Sequence, residues 1–351
     1  PAEVPAEVPA EVRAELRLAT FALECGAVLE DVRQHYRVWG VPNDARDDVV
    51  VVLHALTGSA DAAGADTGWW RDVIGPGRAV DTARRAVIAP NLLGSCYGTT
   101  GPATPWRVAP GTWDAARGFP PVTPRDMARL VLALLDALHV RGLAAVLGGS
   151  LGGMVAQELL LERPGLARAA VVLAAPAAHT AAAIGWNRVQ REALALGARG
   201  GDPDGGLALA REIAMLTFRT EAGLEARFGR AAGRAAPYAV EDWLAHHGRR
   251  LVARFDAATY RTLLDAMDAH DVARGRGSRA EALAALGRAT ARLVAVGVPG
   301  DVLYSADVVR DWARDAGAEY RALDSAHGHD AFLLEGAQVA AIVREALDGA
   351  S

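Results

Sequence analysis

At 351 residues, with 51% hydrophobic residues and a formal net charge of -5, the chain has the composition of a globular protein that buries a sizeable core, not that of a disordered one. The negative balance excludes the generally basic surface that nucleic acids require, and no apolar run approaches the ~20 residues of a membrane span. Two cysteines, Cys25 and Cys96, make no disulfide framework and fit no metal motif, and no signal peptide is visible, so a reducing cytoplasmic setting is the expectation.

Residues 1–16 repeat a four-residue unit, PAEV-PAEV-PAEV-RAEL. Proline every fourth residue opposes a helix, which predicts an extended or disordered tail over 1–16. Alternation over Leu18 to Leu29 and Val32 to Trp39 predicts two antiparallel strands around Gly26. Val49 to Leu53 is a β-branched run of the kind buried on both faces of a parallel sheet, and it ends in His54-Ala55-Leu56-Thr57-Gly58. Ala86 to Ala89, before Pro90, reads as another buried strand. Thr123, Pro124 and Asp126 form a helix start, followed by an apolar face from Leu130 to Leu138. Gly142 to Leu147 is a strand, Met154 to Glu162 a helix stopped by Pro164, and Ala169 to Ala174 a strand. Residues 180–288 carry no convincing strand and read as helices broken at Gly201 to Gly206 and Gly275 to Gly277. Strands resume at Arg292 to Val296 and Tyr320 to Leu323. Alternating strands and helices predict an α/β fold with a mostly parallel sheet covered on both faces. The domain so predicted spans 17–179 and 289–351, with 180–288 as an inserted helical lid.

The chemistry centres on Gly148-Gly149-Ser150-Leu151-Gly152. Strand, Gly-x-Ser-x-Gly, helix is the context of a nucleophile elbow, in which a serine on a sharp turn needs glycines two positions either side to avoid the neighbouring backbone. A serine nucleophile requires a base and an acid that orients it, and on the α/β-hydrolase scaffold these follow in the order acid, then histidine. Asp301, after the strand at 292–296, is the expected acid, with Asp307 and Asp324 as rivals. His329 is the expected base, with His327 as rival; a His327–His329 metal pair lacks further ligands. The oxyanion is expected on the backbone N–H groups of Leu56 and Leu151, and His54 is expected to brace its loop. Gly275-Arg276-Gly277-Ser278-Arg279-Ala280 matches a dinucleotide pattern but follows helical sequence, which fails the context that motif needs. Cys96 lacks an elbow, and His246-His247 reads as a solvated face.

Several blocks together resemble the homoserine O-acyltransferases of methionine biosynthesis, a branch of the α/β-hydrolase fold. They include His54 to Ser59, Gly68-Trp69-Trp70, Ile74 to Arg78, Asn91 to Cys96, Gly98 to Pro102, Gly148 to Gly153, Arg227 to Arg230, Arg254-Phe255-Asp256 and Gly328 to Phe332. The likeness runs from about Leu18 to Asp348. It implies that Ser150 takes an acyl group from a coenzyme A thioester and passes it to an amino-acid hydroxyl, with His329 as base and then acid and Asp301 orienting it. It also implies Arg219 on the substrate carboxylate, Asp330 on its ammonium, no bound cofactor or metal, and a homodimer formed through the lid. Leu303 stands where the succinyl-using branch has an arginine, which implies acetyl-CoA as donor; the resemblance implies homoserine as acceptor, with serine or a larger alcohol as alternatives. Succinyl transfer to serine or homoserine, or ester hydrolysis on the same scaffold, are the competing expectations. The sequence departs from the family at Leu151 (usually Met), at Pro299-Gly300 before Asp301, at Ala326-His327 and at Trp243.

Overall fold

The computed structural model describes residues 11–349. Eight strands run in line through one sheet: β1 Val12–Ala22, β2 Val28–Trp39, β3 Val49–Leu53, β4 Val87–Pro90, β5 Leu143–Gly149, β6 Ala167–Leu173, β7 Arg292–Gly297 and β8 Glu319–Ala322. Their spatial order is β1-β2-β4-β3-β5-β6-β7-β8, and the short strand Arg107–Val108 pairs with β2. All neighbours from β4 onwards are parallel, while β1, β2 and β4 pair antiparallel.

Every residue of β3 and β5 is buried, because alternate side chains enter different cores. Val49, Val51, Leu53 and Val146 face one side with α1 (Pro124–Ala137) and α2 (Leu151–Glu162); Val50, Val52, Ala145 and Leu147 face the other with the C-terminal helix Gly336–Asp348. Each such valine or leucine contributes roughly 1.5–3 kcal/mol of burial, which is why these strands read as continuous apolar runs. The start of α1 follows its sequence signals: Thr123 and Asp126 make a reciprocal capping box with Pro124 in the first turn.

The first strand corrects the expectation for residues 1–16. Val12 to Leu16 belong to β1 and pair with Val38 to Gln34, since the last proline of the repeat, which would remove a ladder donor, is Pro9 and none follows before the end of β2. Residues 1–10 lie outside the described residues. The hairpin turns at Leu23 to Ala27 with Gly26 at φ 88°, so β2 begins at Val28 and not at Val32.

Between β6 and β7 lie six helices: α3 Ala181–Arg199, α4 Pro203–Thr217, α5 Glu221–Phe228, α6 Ala239–Val252, α7 Ala257–Asp268 and α8 Arg279–Arg288. A buried charge cluster ties this insertion to the sheet domain. Arg125 of α1 bonds Glu24 of the β1–β2 turn (2.9 Å) and Glu158 of α2 (3.0 Å), while Arg274 reaches Glu24 (2.7 Å) and Arg276 reaches Glu158 (2.7 Å) and Glu162 (2.6 Å). The glycines around Arg276 therefore serve a turn that delivers its guanidinium to carboxylates, not a phosphate loop. Among the described residues no helix is long and apolar enough to cross a membrane.

Beyond β3 the chain is fixed by His54. Its Nδ1–H donates to the Ala55 carbonyl (2.8 Å) and its Nε2 accepts the Leu92 N–H (3.0 Å), which requires the neutral ring. Burial is the main cause that pulls its pKa from 6.5 to about 4. The unfolded chain therefore binds more protons between those values, and stability is gained as pH rises through that window and lost as it falls. Urea unfolding at pH 7, 6 and 5 is expected to show this loss, with His54→Gln reducing the slope by up to about 1.4 kcal/mol per pH unit. A variant slope equal to the parent's would contradict the neutral brace.

Candidate active site

Ser150 sits at the turn between β5 and α2 with φ 55° and ψ -124°. The glycines beside it allow this. A Cβ on Gly152 would lie 2.1 Å from the Leu53 carbonyl oxygen, and one on Gly148 would lie 2.3 Å from that of Gly152. The Ser150 N–H donates to Leu173 O (2.9 Å), so the hydroxyl projects from a backbone anchored to the next strand.

His329 lies in the short 3-10 turn Gly328–Asp330 after β8, and Asp301 follows β7. His329 Nε2 is 2.9 Å from Ser150 Oγ and Nδ1 is 2.8 Å from Asp301 Oδ2. Asp301 Oδ1 accepts the N–H groups of Leu303 (2.8 Å) and Tyr304 (3.0 Å). With the carboxylate held as an acceptor, Nδ1 carries the proton and Nε2 is left to accept from the serine hydroxyl. All three side chains are buried, at 3%, 3% and 5% exposure for Ser150, His329 and Asp301. The rivals lie elsewhere: Asp307 pairs with exposed Arg310, Asp324 is exposed, and His327 is exposed with its N–H on Ser325 Oγ. Among the described residues no cluster of three or more metal-ligating side chains exists.

Three aromatic rings enclose the imidazole: Phe218 from the end of α4, Tyr304 from the Asp301 loop, and Phe332, at ring distances of 5.5, 5.2 and 5.7 Å. Tyr304 is itself fixed. Burial raises its pKa well above 10, so it donates its proton to His179 Nε2 (2.8 Å), and His179 Nδ1 lies 2.9 Å from Asp268 of α7. The insertion thus reaches the back of the Ser–His–Asp chain through a buried relay.

In front of Ser150 opens a cavity of about 610 Å3, lined by Leu56, Trp69, Phe218, Phe332, Arg211 and Asp330, among others. The N–H groups of Leu56 and Leu151 donate to no acceptor among the described residues, which leaves them available to an anion. Arg219, expected to meet a substrate, pairs with Asp330 and lines clefts beside Leu224 and Phe228. The cavity instead receives Arg211, eight residues earlier on α4. Its guanidinium stacks on Phe218 (5.3 Å) and makes no ion pair among the described residues; burial pulls its pKa below the ordinary value. Sequence reading missed Arg211 and Tyr304. The available signal for Arg211 was its spacing from Phe218, two turns on and on the same face of one helix. Leu303, the expected donor-selecting residue, is buried in the core and is not among the residues lining the cavity. Cys96 is buried, with its thiol pushed up to about 11 mainly by burial and placed 3.3 Å from Asp256, a structural position.

Comparison with known proteins agrees with this fold. Residues 48–248 match the model of the alpha/beta hydrolase fold family. The homoserine O-acetyltransferase of Thermus thermophilus is 42% identical over 98% of this chain and 93% of its own length. That of Thermobifida fusca is 42% identical over 93% and 90%. The crystal structure of homoserine O-acetyltransferase from Bacillus anthracis superposes with a TM-score of 0.86 at 23% identity, covering 97% of this chain and 98% of that one, and speaks for the fold. An elbow serine bonded to a histidine–aspartate pair, on a sheet of this order and in a chain this similar over its length, places the protein in the homoserine O-acetyltransferase family of the α/β-hydrolase fold.

Proposed function

We propose that this protein transfers an acetyl group from acetyl-CoA to the side-chain hydroxyl of L-homoserine through an acetyl-Ser150 intermediate. The observation that carries the proposal is the hydrogen-bonded chain Ser150–His329–Asp301 opening onto a cavity that also presents Arg211 and Asp330. His329 Nε2 takes the Ser150 proton as Oγ attacks the thioester carbon. The tetrahedral oxyanion falls between the N–H groups of Leu56 and Leu151. Its collapse breaks the C–S bond, and the thiolate leaves with the proton from His329. The homoserine hydroxyl then gives its proton to His329 and attacks the acetyl-serine carbonyl, and Ser150 recovers its proton as the ester leaves.

The acceptor is a zwitterion, and the cavity has a charge for each end. Arg211 suits the α-carboxylate because a guanidinium binds it bidentately and it makes no ion pair among the described residues. Asp330 suits the ammonium. Arg219 is then a positioning residue that fixes Asp330 from behind, a revision of the role the family resemblance implied. The relatives' names support the acetyl donor. Exposed apolar residues on α3 and α4, Ile184, Trp186, Val189, Leu196, Leu209 and Leu216, support a homodimer through the insertion.

Ser150→Ala is expected to lower kcat by roughly 10^4-fold or more, since the members of such a chain act as a unit. Mass spectrometry of the parent mixed with acetyl-CoA alone should find acetyl on Ser150. Acetyl-CoA consumption at full rate without any hydroxy amino acid would instead favour a hydrolase. Arg211→Ala is expected to raise the homoserine KM about 100-fold while the burst of Ser150 acetylation stays near the parent's; equal loss in both half-reactions would count against the assignment. Sedimentation should give a dimer at micromolar concentration, and Val189→Glu should weaken it; a monomeric parent would reject the interface.

A further inference from the structure

Beside the Ser150 cavity lies a smaller pocket of about 210 Å3, lined by Arg211, His247, Arg250, Leu251 and Arg254. Arg211, Arg250 and Arg254 line both spaces. The smaller pocket has no acid in its wall, and among the described residues none of the three arginines forms an ion pair. Other arginines of the insertion do meet acids, as Arg191 meets Asp268 at 2.6 Å, Arg276 meets Glu162 at 2.6 Å, and Arg219 meets Asp330. Three like charges around one space repel one another. Burial, then Arg211 and Arg219, pull the His247 pKa down to about 4 against the opposing effect of Asp330, so that ring adds no fourth positive charge. Such an arrangement is built for anions that arrive from solution.

The acceptor carboxylate accounts for one arginine, Arg211, which is the half-buried one. Arg250 and Arg254 are exposed, at the C-terminal end of α6. Arg254 is preset: its Nη1 donates to Thr57 O (2.6 Å) and Tyr97 Oη (2.7 Å), tying the insertion to the loop that carries Leu56. Among the described residues its Nε and Nη2 remain unengaged, and the Arg250 guanidinium engages no group. Paired N–H groups of this kind match phosphate oxygens.

We propose that Arg250 and Arg254 form a phosphate site at the exposed rim of the cavity, which takes the phosphate groups of the coenzyme A thioester while its acyl end reaches Ser150. The proposal rests on the acyl-transfer reading above. It assigns the two anions of the reaction to different arginines: the acceptor carboxylate to Arg211 inside, the donor phosphates to Arg250 and Arg254 outside.

The test compares acetyl-CoA with S-acetylpantetheine, which keeps the thioester arm and lacks every phosphate, at saturating homoserine. Arg250→Ala is expected to lower kcat/KM for acetyl-CoA about tenfold, equivalent to about 1.4 kcal/mol, and to change that for S-acetylpantetheine by less than about twofold. The homoserine KM should stay at the parent value, and Arg250→Lys should recover part of the loss. Arg250 is exposed and its side chain bonds nothing among the described residues, so the variant should fold; calorimetric binding of coenzyme A to it should weaken by the same factor. Equal losses with both donors, no loss with acetyl-CoA, or a rise in the homoserine KM instead would each overturn the phosphate site while leaving acyl transfer intact. Failure of the parent to acetylate homoserine from either thioester would overturn the acyl-transfer reading and the phosphate site with it.

Discussion

Gly152 passes so close to the end of β3 that its missing side chain is the condition for everything around it: a Cβ there would overlap the Leu53 carbonyl at 2.1 Å. This approach brings the start of α2 against the Leu53 and His54 carbonyls, at the head of the loop that carries Leu56. It also holds Ser150 at a positive φ, a conformation that costs of order 1–3 kcal/mol for a residue with a side chain. Packing of β3 and β5 in two cores offsets that strain.

The insertion completes what the sheet begins. Phe218 and Arg211 come from α4, and Asp268 of α7 lies behind His179 and Tyr304, so the histidine is walled on one side by a part of the chain that contributes no strand to the sheet. The glutamates and arginines around Arg125 keep the exit of the insertion against α1 and α2. Buried charges of this kind add little net stability, because desolvation opposes their attraction; their consequence here is geometric, since they join the insertion to the β1–β2 turn at Glu24 and to α2 at Glu158 and Glu162.

How far the sequence could be read depended on the range of the forces involved. The strands β3, β5 and β7 and the start of α1 are legible because a double-sided core demands uninterrupted apolar runs and a helix start demands local capping. Ser150, Asp301 and His329 are legible because each sits at the end of such an element. Arg219 and Arg211 were not separable by these means. Both are arginines close together on or just beyond one helix; in the folded chain Arg211 lines the cavity while Arg219 pairs with Asp330, a residue more than a hundred positions away. Leu303 illustrates the same limit, since its place beside Asp301 in the chain does not put it on the cavity wall.

The order of strands and helices, the elbow and the succession serine, aspartate, histidine were determined by the sequence itself, through local periodicity, glycine placement and capping. The pairing of Val12 to Leu16 into the sheet, the exchange of Arg219 for Arg211 in the cavity, and the relay from Asp268 to Tyr304 were decided only by tertiary structure. Each of these joins groups far apart in the chain, and their meeting is fixed by burial and charge pairing across elements that no local pattern encodes.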